Sequence, residues 1–275
     1  MNKKSLAYVP SAAASRQHPP KPSSQARFID NVRVDHGPAH IIGRVFLKAD
    51  QALRRRGVTL HFGTFEELEE VNRRNGDSWR PLLPVFDHRC WELGDHNSYC
   101  LLGRDSRGDV VVTQGGRLYE WSNTNFFEEA RNMRLFYSDP ERMARPGETA
   151  VITAQASRQI TGRVVFSGAG WYRRDFRKRD MGVILSRVSR ALAYTRWRTD
   201  HTTTIMAEGV FHGGLGQRAG YTKHDWELQL VNFAVGTVRT AVLWMPAAEM
   251  LQDLSWFVEA FDSDVDGRVD DRRAN

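Results

Sequence analysis

The sequence predicts a mixed α/β body, a twisted mixed sheet of about six to seven strands flanked by helices. Three observations carry that expectation. Segments that alternate like half-buried strands, at 58–62, 98–103 and 109–113, are interleaved with segments of helical spacing. The first strand meets a helix start at once, where Thr64 and Glu67 form the Thr-x-x-Glu signature of a capping box. A long strand at 162–172, rich in Val, Phe, Trp and Tyr, runs into a dense basic turn and then into the clearest helix of the chain, 181–197.

Composition supports a folded chain. Of 275 residues 41% are hydrophobic, and 14 Phe, 8 Trp and 7 Tyr supply ample apolar surface, which excludes a collagen-like, coiled-coil or wholly disordered protein. No apolar run approaches the roughly eighteen residues of a membrane span. Residues 6–14 are too short for a signal-peptide core and are broken by Pro10. Cys90 and Cys100 alone build no disulfide framework and fit a reducing compartment, so a cytoplasmic protein without membrane attachment is expected. The net charge of +6 is unevenly spread: residues 1–57 hold eleven Lys and Arg against three Asp, and the remainder twenty-eight against thirty acids. The basic isoelectric point therefore reports an N-terminal arm more than a basic body.

Taken in order, residues 1–36 read as a disordered basic arm, with Pro10, Pro19, Pro20 and Pro22 among Ser, Ala and Gln. Residues 37–57 hold an amphipathic helix: Ile42, Val45, Phe46, Ala49 and Leu53 share a face, and Arg54, Arg55 and Arg56 suit its C-terminus. Next come the 58–62 strand and a helix from Thr64 to Gly76. Strands at 98–103 and 109–113 are joined by a turn at 105–108, with 118–121 continuing the second, and 126–137 reads as a helix. In the 162–172 strand, Gly168 and Gly170 mark a bulge or a close backbone approach. Along 181–197, Ile184, Leu185, Val188, Ala191, Leu192 and Thr195 form one face. A strand at 202–206, a glycine-rich helix or turn at 207–220, strands at 226–233 and 238–245, and a helix at 246–261 with an acidic tail complete the chain. No internal repeat is visible.

Chemistry concentrates where the long strand meets the long helix. The first amides of a helix are unpaired and carry partial positive charge, so a phosphate placed there is held by several donors at once. Residues 173–182 add five basic side chains against two acids. The expected ligand is phosphorylated, with a solvated basic turn as the plainer reading.

At these residues the sequence resembles the GNAT superfamily of acyl-CoA-dependent N-acyltransferases. The hallmark of that family is an Asp-aromatic-Arg-x-Arg/Lys-Gly-x-Gly run after the fourth strand, and Asp175-Phe176-Arg177-Lys178-Arg179-Asp180-Met181-Gly182 follows it at most positions. The element order around it is also similar, and Gly220-Tyr221 looks like the Gly-aromatic pair that closes the family's fourth helix. The resemblance covers about residues 58–245 and implies a GNAT-like acyltransferase domain there, followed by a C-terminal helix and acidic tail at 246–275. It implies that Arg177, Lys178, Arg179, Asp180, Met181 and Gly182 hold the coenzyme A diphosphate, with Gly170, Trp171 and Tyr172 at the pantetheine and thioester carbonyl. The implied substrates are an acyl-CoA and an amine, with no metal and with a homodimer as an open possibility. Two positions depart from the family: Asp180 replaces its first glycine, and Gly216 stands where many members carry a tyrosine acid. Direct attack by an amine needs an acceptor for its proton and a donor to the departing thiolate, and His212, Tyr221 and His224 are the candidate carriers.

Weaker constellations remain. Asp262-Ser263-Asp264-Val265-Asp266-Gly267 copies the first half of a calcium loop, but its twelfth position is Arg273, so a disordered acidic tail is expected. His88, Cys90, His96 and Cys100 have zinc-ligand chemistry without a compact zinc spacing. No nucleophile elbow, P-loop or His-Glu-x-x-His is present. Two rivals stand beside the enzyme. One is a nucleic-acid binder using the basic and aromatic run from Trp171 to Arg179. The other is a GNAT-like interaction scaffold without chemistry.

Overall fold

The computed structural model describes residues 26–270, and of residues 261–270 the backbone only. Its eight strands form one sheet in the order β1-β2-β3-β5-β6-β8-β7-β4. They are β1 (Thr59–Gly63), β2 (Ser98–Arg104), β3 (Val110–Trp121), β4 (Thr149–Ile152), β5 (Gly162–Tyr172), β6 (His201–Ala207), β7 (Lys223–Phe233) and β8 (Gly236–Pro246). Every neighbouring pair is antiparallel except β5 and β6. A parallel connection requires a crossover, and the long helix between these two strands provides it.

Helices cover both faces. Following α1 (Phe28–Asn31), α2 (Ala39–Arg55) lies on one face with α6 (Met181–Trp197) and α9 (Ala247–Asp270), sharing a core that includes Phe46, Leu101, Val165, Leu185 and Leu254. The opposite face is covered by α3 (Phe65–Arg74) and α4 (Phe126–Arg131), around Phe86, Phe126, Phe136 and Phe166. Short helices complete the set: α5 (Pro140–Met143), α7 (Glu208–His212) and α8 (Leu215–Arg218).

Local chemistry explains the boundaries. Thr64 Oγ1 accepts from the Glu67 amide at 3.2 Å and caps α3 as its sequence predicts. The Glu67 carboxylate, which would complete the capping box, pairs instead with Arg104 on β2. Helix α4 is shorter than the expected 126–137, because the chain turns at Met133, where φ is +62°. The expected glycine-rich helix or turn at 207–220 is two short helices, α7 and α8.

The segment before α2 departs from the sequence reading. Residues 1–25 lie outside the described ones, but 26–36, expected to be disordered, pack on the body. Phe28 is buried against Phe46 and Phe62, with ring centroids 5.3 and 5.2 Å away, and the Asp35 amide donates to Thr195 Oγ1 on α6 at 2.6 Å. At the other end α9 runs as helix to Asp270, and the side chains of the calcium-like Asp262–Gly267 run, with Arg273, fall outside the described residues. No helix among the described residues is long and apolar enough to cross a membrane.

Candidate active site

The sheet opens between its two parallel strands. Strands β5 and β6 are in register only at Val164 with His201, Val165 with Thr202 and Phe166 with Thr203. Beyond that point β5 follows β3 as far as Tyr172, while β6 follows β8. The two strands part, and their ladder groups no longer face one another. A cavity of about 310 Å³ occupies the gap. It reaches from Trp79, Leu82 and Phe86 on the α3 face, past Ser167 to Gly170, to Tyr172, Leu215 and Tyr221 on the α6 face, so it passes through the sheet.

A bulge shapes one wall of this passage. Between the pairs Gly115–Gly168 and Thr113–Trp171, β3 supplies one residue, Gln114, and β5 supplies two, Ala169 and Gly170. Ala169 takes φ +50°, a left-handed conformation that side chains other than glycine rarely adopt. Two polar side chains hold it there: Thr113 Oγ1 donates to the Ala169 carbonyl at 2.7 Å, and Gln114 Nε2 to the Gly168 carbonyl at 3.0 Å. With the Ala169 carbonyl committed and both ladder positions skipped, the bulge residues Ala169 and Gly170 line the passage.

The start of α6 lies at the same end. The Val183 and Ile184 amides both bond to the Asp180 carbonyl, at 3.0 and 3.1 Å. Those of Met181 and Gly182 have no acceptor among the described residues. Asp180 precedes the helix at φ +56°, with an exposed side chain that makes no capping bond. It therefore neither occupies the amides nor closes the passage. Gly182 is small because its surroundings are tight: a Cβ there would lie 3.1 Å from Leu215 Cδ1 and 3.2 Å from the Tyr172 hydroxyl.

The basic run divides into structural and available charges. Arg173 is held by Asp105 and Asp175, and Arg174 pairs with Asp77. Arg177, expected at the anion, instead ties the loop together, Nε donating to the Tyr172 carbonyl at 2.9 Å and Nη2 to that of Ser78 at 3.2 Å. Arg179 lies over the Phe176 ring, and Lys178 is exposed at φ +60°. Sequence reasoning missed Arg56. This last residue after α2 donates through Nε to the Arg179 carbonyl at 2.8 Å, adding a cation at the helix start. Its place in a three-arginine run at a helix end explains the charge but not this long-range partner.

Other expected residues fall elsewhere. Trp171 is buried, stacked on Trp79 with centroids 5.5 Å apart, and does not line the passage. Met181 contributes its amide alone, its side chain being part of the core. His212 and His224 are exposed around Phe211, outside the passage, and His212 stacks on Trp226. Of the aromatic residues offered for base stacking, Trp171 and Phe176 are buried and Tyr172 lines the passage, which takes two of the three away from a nucleic-acid interface here. Among the described residues no three His, Cys, Asp or Glu side chains gather as a metal site, and Cys100 is buried in β2.

Tyr221 does line the passage, and polar groups converge behind it. The Arg190 guanidinium carbon is 5.2 Å from its ring centroid. Burial raises the Tyr221 hydroxyl above the usual phenol range, while Arg190 and the Ser167 hydroxyl oppose that rise. Arg190 is fully buried; Nη2 donates to Asp253 Oδ2 and to the Ala219 carbonyl, both at 2.7 Å, and Arg187 takes Asp253 Oδ1 at 2.7 Å. Two buried arginines thus share one carboxylate. Gly220 permits the arrangement: it adopts φ +88°, and a Cβ there would lie 2.3 Å from Asp253 Oδ1. Ser167 continues the network to Ser189 (2.8 Å) and thence to the Tyr99 hydroxyl (2.7 Å). At Gly216 a Cβ would fall 2.3 Å from Leu243 Cδ2, so Leu243 fills the space a larger side chain would need.

No family model matches the chain, and no curated protein matches it at significance. Solved structures do. Mutant forms of the spermidine/spermine N-acetyltransferase SpeG from Vibrio cholerae are 9% identical with a TM-score of 0.43, covering 72% of this chain and 98% of their own. The V. cholerae spermidine N-acetyltransferase with CoA and spermine is 11% identical with a TM-score of 0.42, covering 71% and 98%. AAC(6')-Ib, solved with acetyl-CoA, is 12% identical with a TM-score of 0.39, covering 70% and 95%.

Proposed function

We propose that this protein is an acyl-CoA-dependent N-acyltransferase that passes an acyl group directly from the thioester to an amine. One observation carries the reading: a passage through the sheet, bulged on one wall, ends beside a helix start whose first two amides have no acceptor among the described residues. A long ligand with an anionic end and a slender reactive end suits both parts, and coenzyme A thioesters have that form. The sequence run from Asp175 to Gly182 supports the same assignment.

In this reading the Met181 and Gly182 amides receive the diphosphate, with Arg56, Lys178 and Arg179 adding charge. The exposed Asp180 carboxylate opposes binding only through water, where charge is screened over about 8 Å. The amides act at contact distance in a fixed geometry, so attraction prevails. In this reading the amides of Ala169 and Gly170, out of the β3 ladder, hold the thioester carbonyl. The amine enters from the α3 side, where a second cavity of about 560 Å³ shares Trp79, Pro81, Leu82 and Phe86 with the passage. Its lone pair attacks the carbonyl carbon, the C–S bond breaks, and the sulfur takes the Tyr221 proton. The surplus proton of the amine leaves through water in the cleft and restores the hydroxyl. Arg190 stabilises the transient phenolate, while Tyr221 stays protonated, and so a donor, at neutral pH.

The test is release of free thiol from acetyl-CoA and longer acyl-CoAs in the presence of a panel of primary amines and peptides. Turnover above thioester hydrolysis with at least one amine is expected. Tight coenzyme binding with no turnover across the panel would move the assignment to a scaffold of the same fold.

A further inference from the structure

We propose a second binding site, for a monovalent carboxylate with an apolar body, in the cavity that Arg117 lines on the α4 face of the sheet. Arg117 on β3 is 5% exposed, and among the described residues it has no ion pair. Its Nη1 donates to the Tyr119 hydroxyl at 3.1 Å, its guanidinium stacks 3.2 Å from the Trp91 ring centroid, and its buried Nε has no partner among the described residues. Stacking on aromatic faces steadies a cation without neutralising it. A buried cation in that condition is ordinarily met by a carboxylate.

The cavity beside it measures about 540 Å³ and shares no lining residue with the passage at β5 and β6. Its other charges are already matched. Arg134 is bidentate with Glu129, at 2.7 and 3.1 Å, and the mostly exposed Glu120 lies near Arg163. One positive charge is left over, on Arg117. A single carboxylate balances it, whereas a phosphate dianion would bring excess charge against Glu129. Trp91, Tyr119 and Trp121 line the rest, which favours a ligand with a ring or alkyl body over a bare ion.

The experiment titrates the full chain with benzoate, acetate and inorganic phosphate at constant ionic strength, following tryptophan fluorescence and melting temperature. Benzoate is expected to saturate, to bind more tightly than acetate, and to raise the melting temperature, with phosphate inert. R117M should weaken benzoate at least tenfold, and R117K, which keeps the charge and loses the planar fork, by less. The assignment is overturned by a non-saturating wild-type response, by phosphate outcompeting benzoate, or by R117M binding as wild type does. Where a variant fails to fold, the wild-type titration decides alone. Because the two cavities are separate, benzoate affinity should be unchanged by saturating coenzyme A, so this result and that of the acyl-transfer assay stand independently.

Discussion

Asp180 and Tyr221 carry opposite lessons at the scale of single residues. Asp180 holds a left-handed backbone that costs a side-chain-bearing residue about 1 kcal/mol, and it places negative charge beside the helix start proposed to hold the diphosphate. Asp180→Gly should therefore raise the melting temperature slightly and tighten coenzyme A several-fold by calorimetry; weaker binding would contradict the placement of the diphosphate. Tyr221 should behave as an acid. Y221F is expected to lower kcat about a hundredfold or more while leaving the Kd for coenzyme A unchanged. Burial holds the phenol of Tyr221 above its ordinary value, so the wild-type kcat profile should show no loss assignable to its ionisation below about pH 10. The start of α6 at Met181 was legible, and Tyr221 was singled out and lines the passage, because their motif spacing is local. The burial of Arg190 and the reach of Arg56 were not, because each depends on a partner far along the chain.

Among the elements, β5 and α6 were read to their ends from the sequence, since a long alternating strand and a long apolar helical face leave little freedom. Strand β4 was not. Its four residues, Thr149 to Ile152, give too short a pattern, and pairing with β7 decides its state. Glycines in 162–172 announced a bulge, but the side chains that pin it, Thr113 and Gln114, belong to a different strand. Helix α9 was legible as a helix and silent about its task, which is to bring Asp253 between Arg187 and Arg190. Removing one partner from a buried ionic cluster typically costs about 3–5 kcal/mol. D253N should thus be strongly destabilised in urea unfolding, whereas loss of less than about 1 kcal/mol would mean that the two arginines find other acceptors.

For the molecule as a whole, the charge arithmetic places the basic excess in the first 57 residues, but the stretch around Phe28, expected to be disordered, belongs to the core. Burial also makes an alkaline limit to stability. Tyr99, Tyr119 and Tyr172 are each raised above the ordinary phenol value chiefly by burial. A raised folded value means that their contribution is complete below the unfolded pKa near 10 and is lost as pH climbs toward the folded value. Urea midpoints should show no pH dependence from these phenols at pH 7–9 and a decline above about pH 10; a decline already under way at pH 8 would assign alkaline loss to other groups.

The most direct test of the central claim is amide hydrogen exchange on the full chain with and without coenzyme A. Slowed exchange is expected at Met181 and Gly182, with a second protected stretch around Ala169 and Gly170. Unchanged exchange at both places under saturating, calorimetrically verified coenzyme A, or protection confined to some other helix start, would contradict the account.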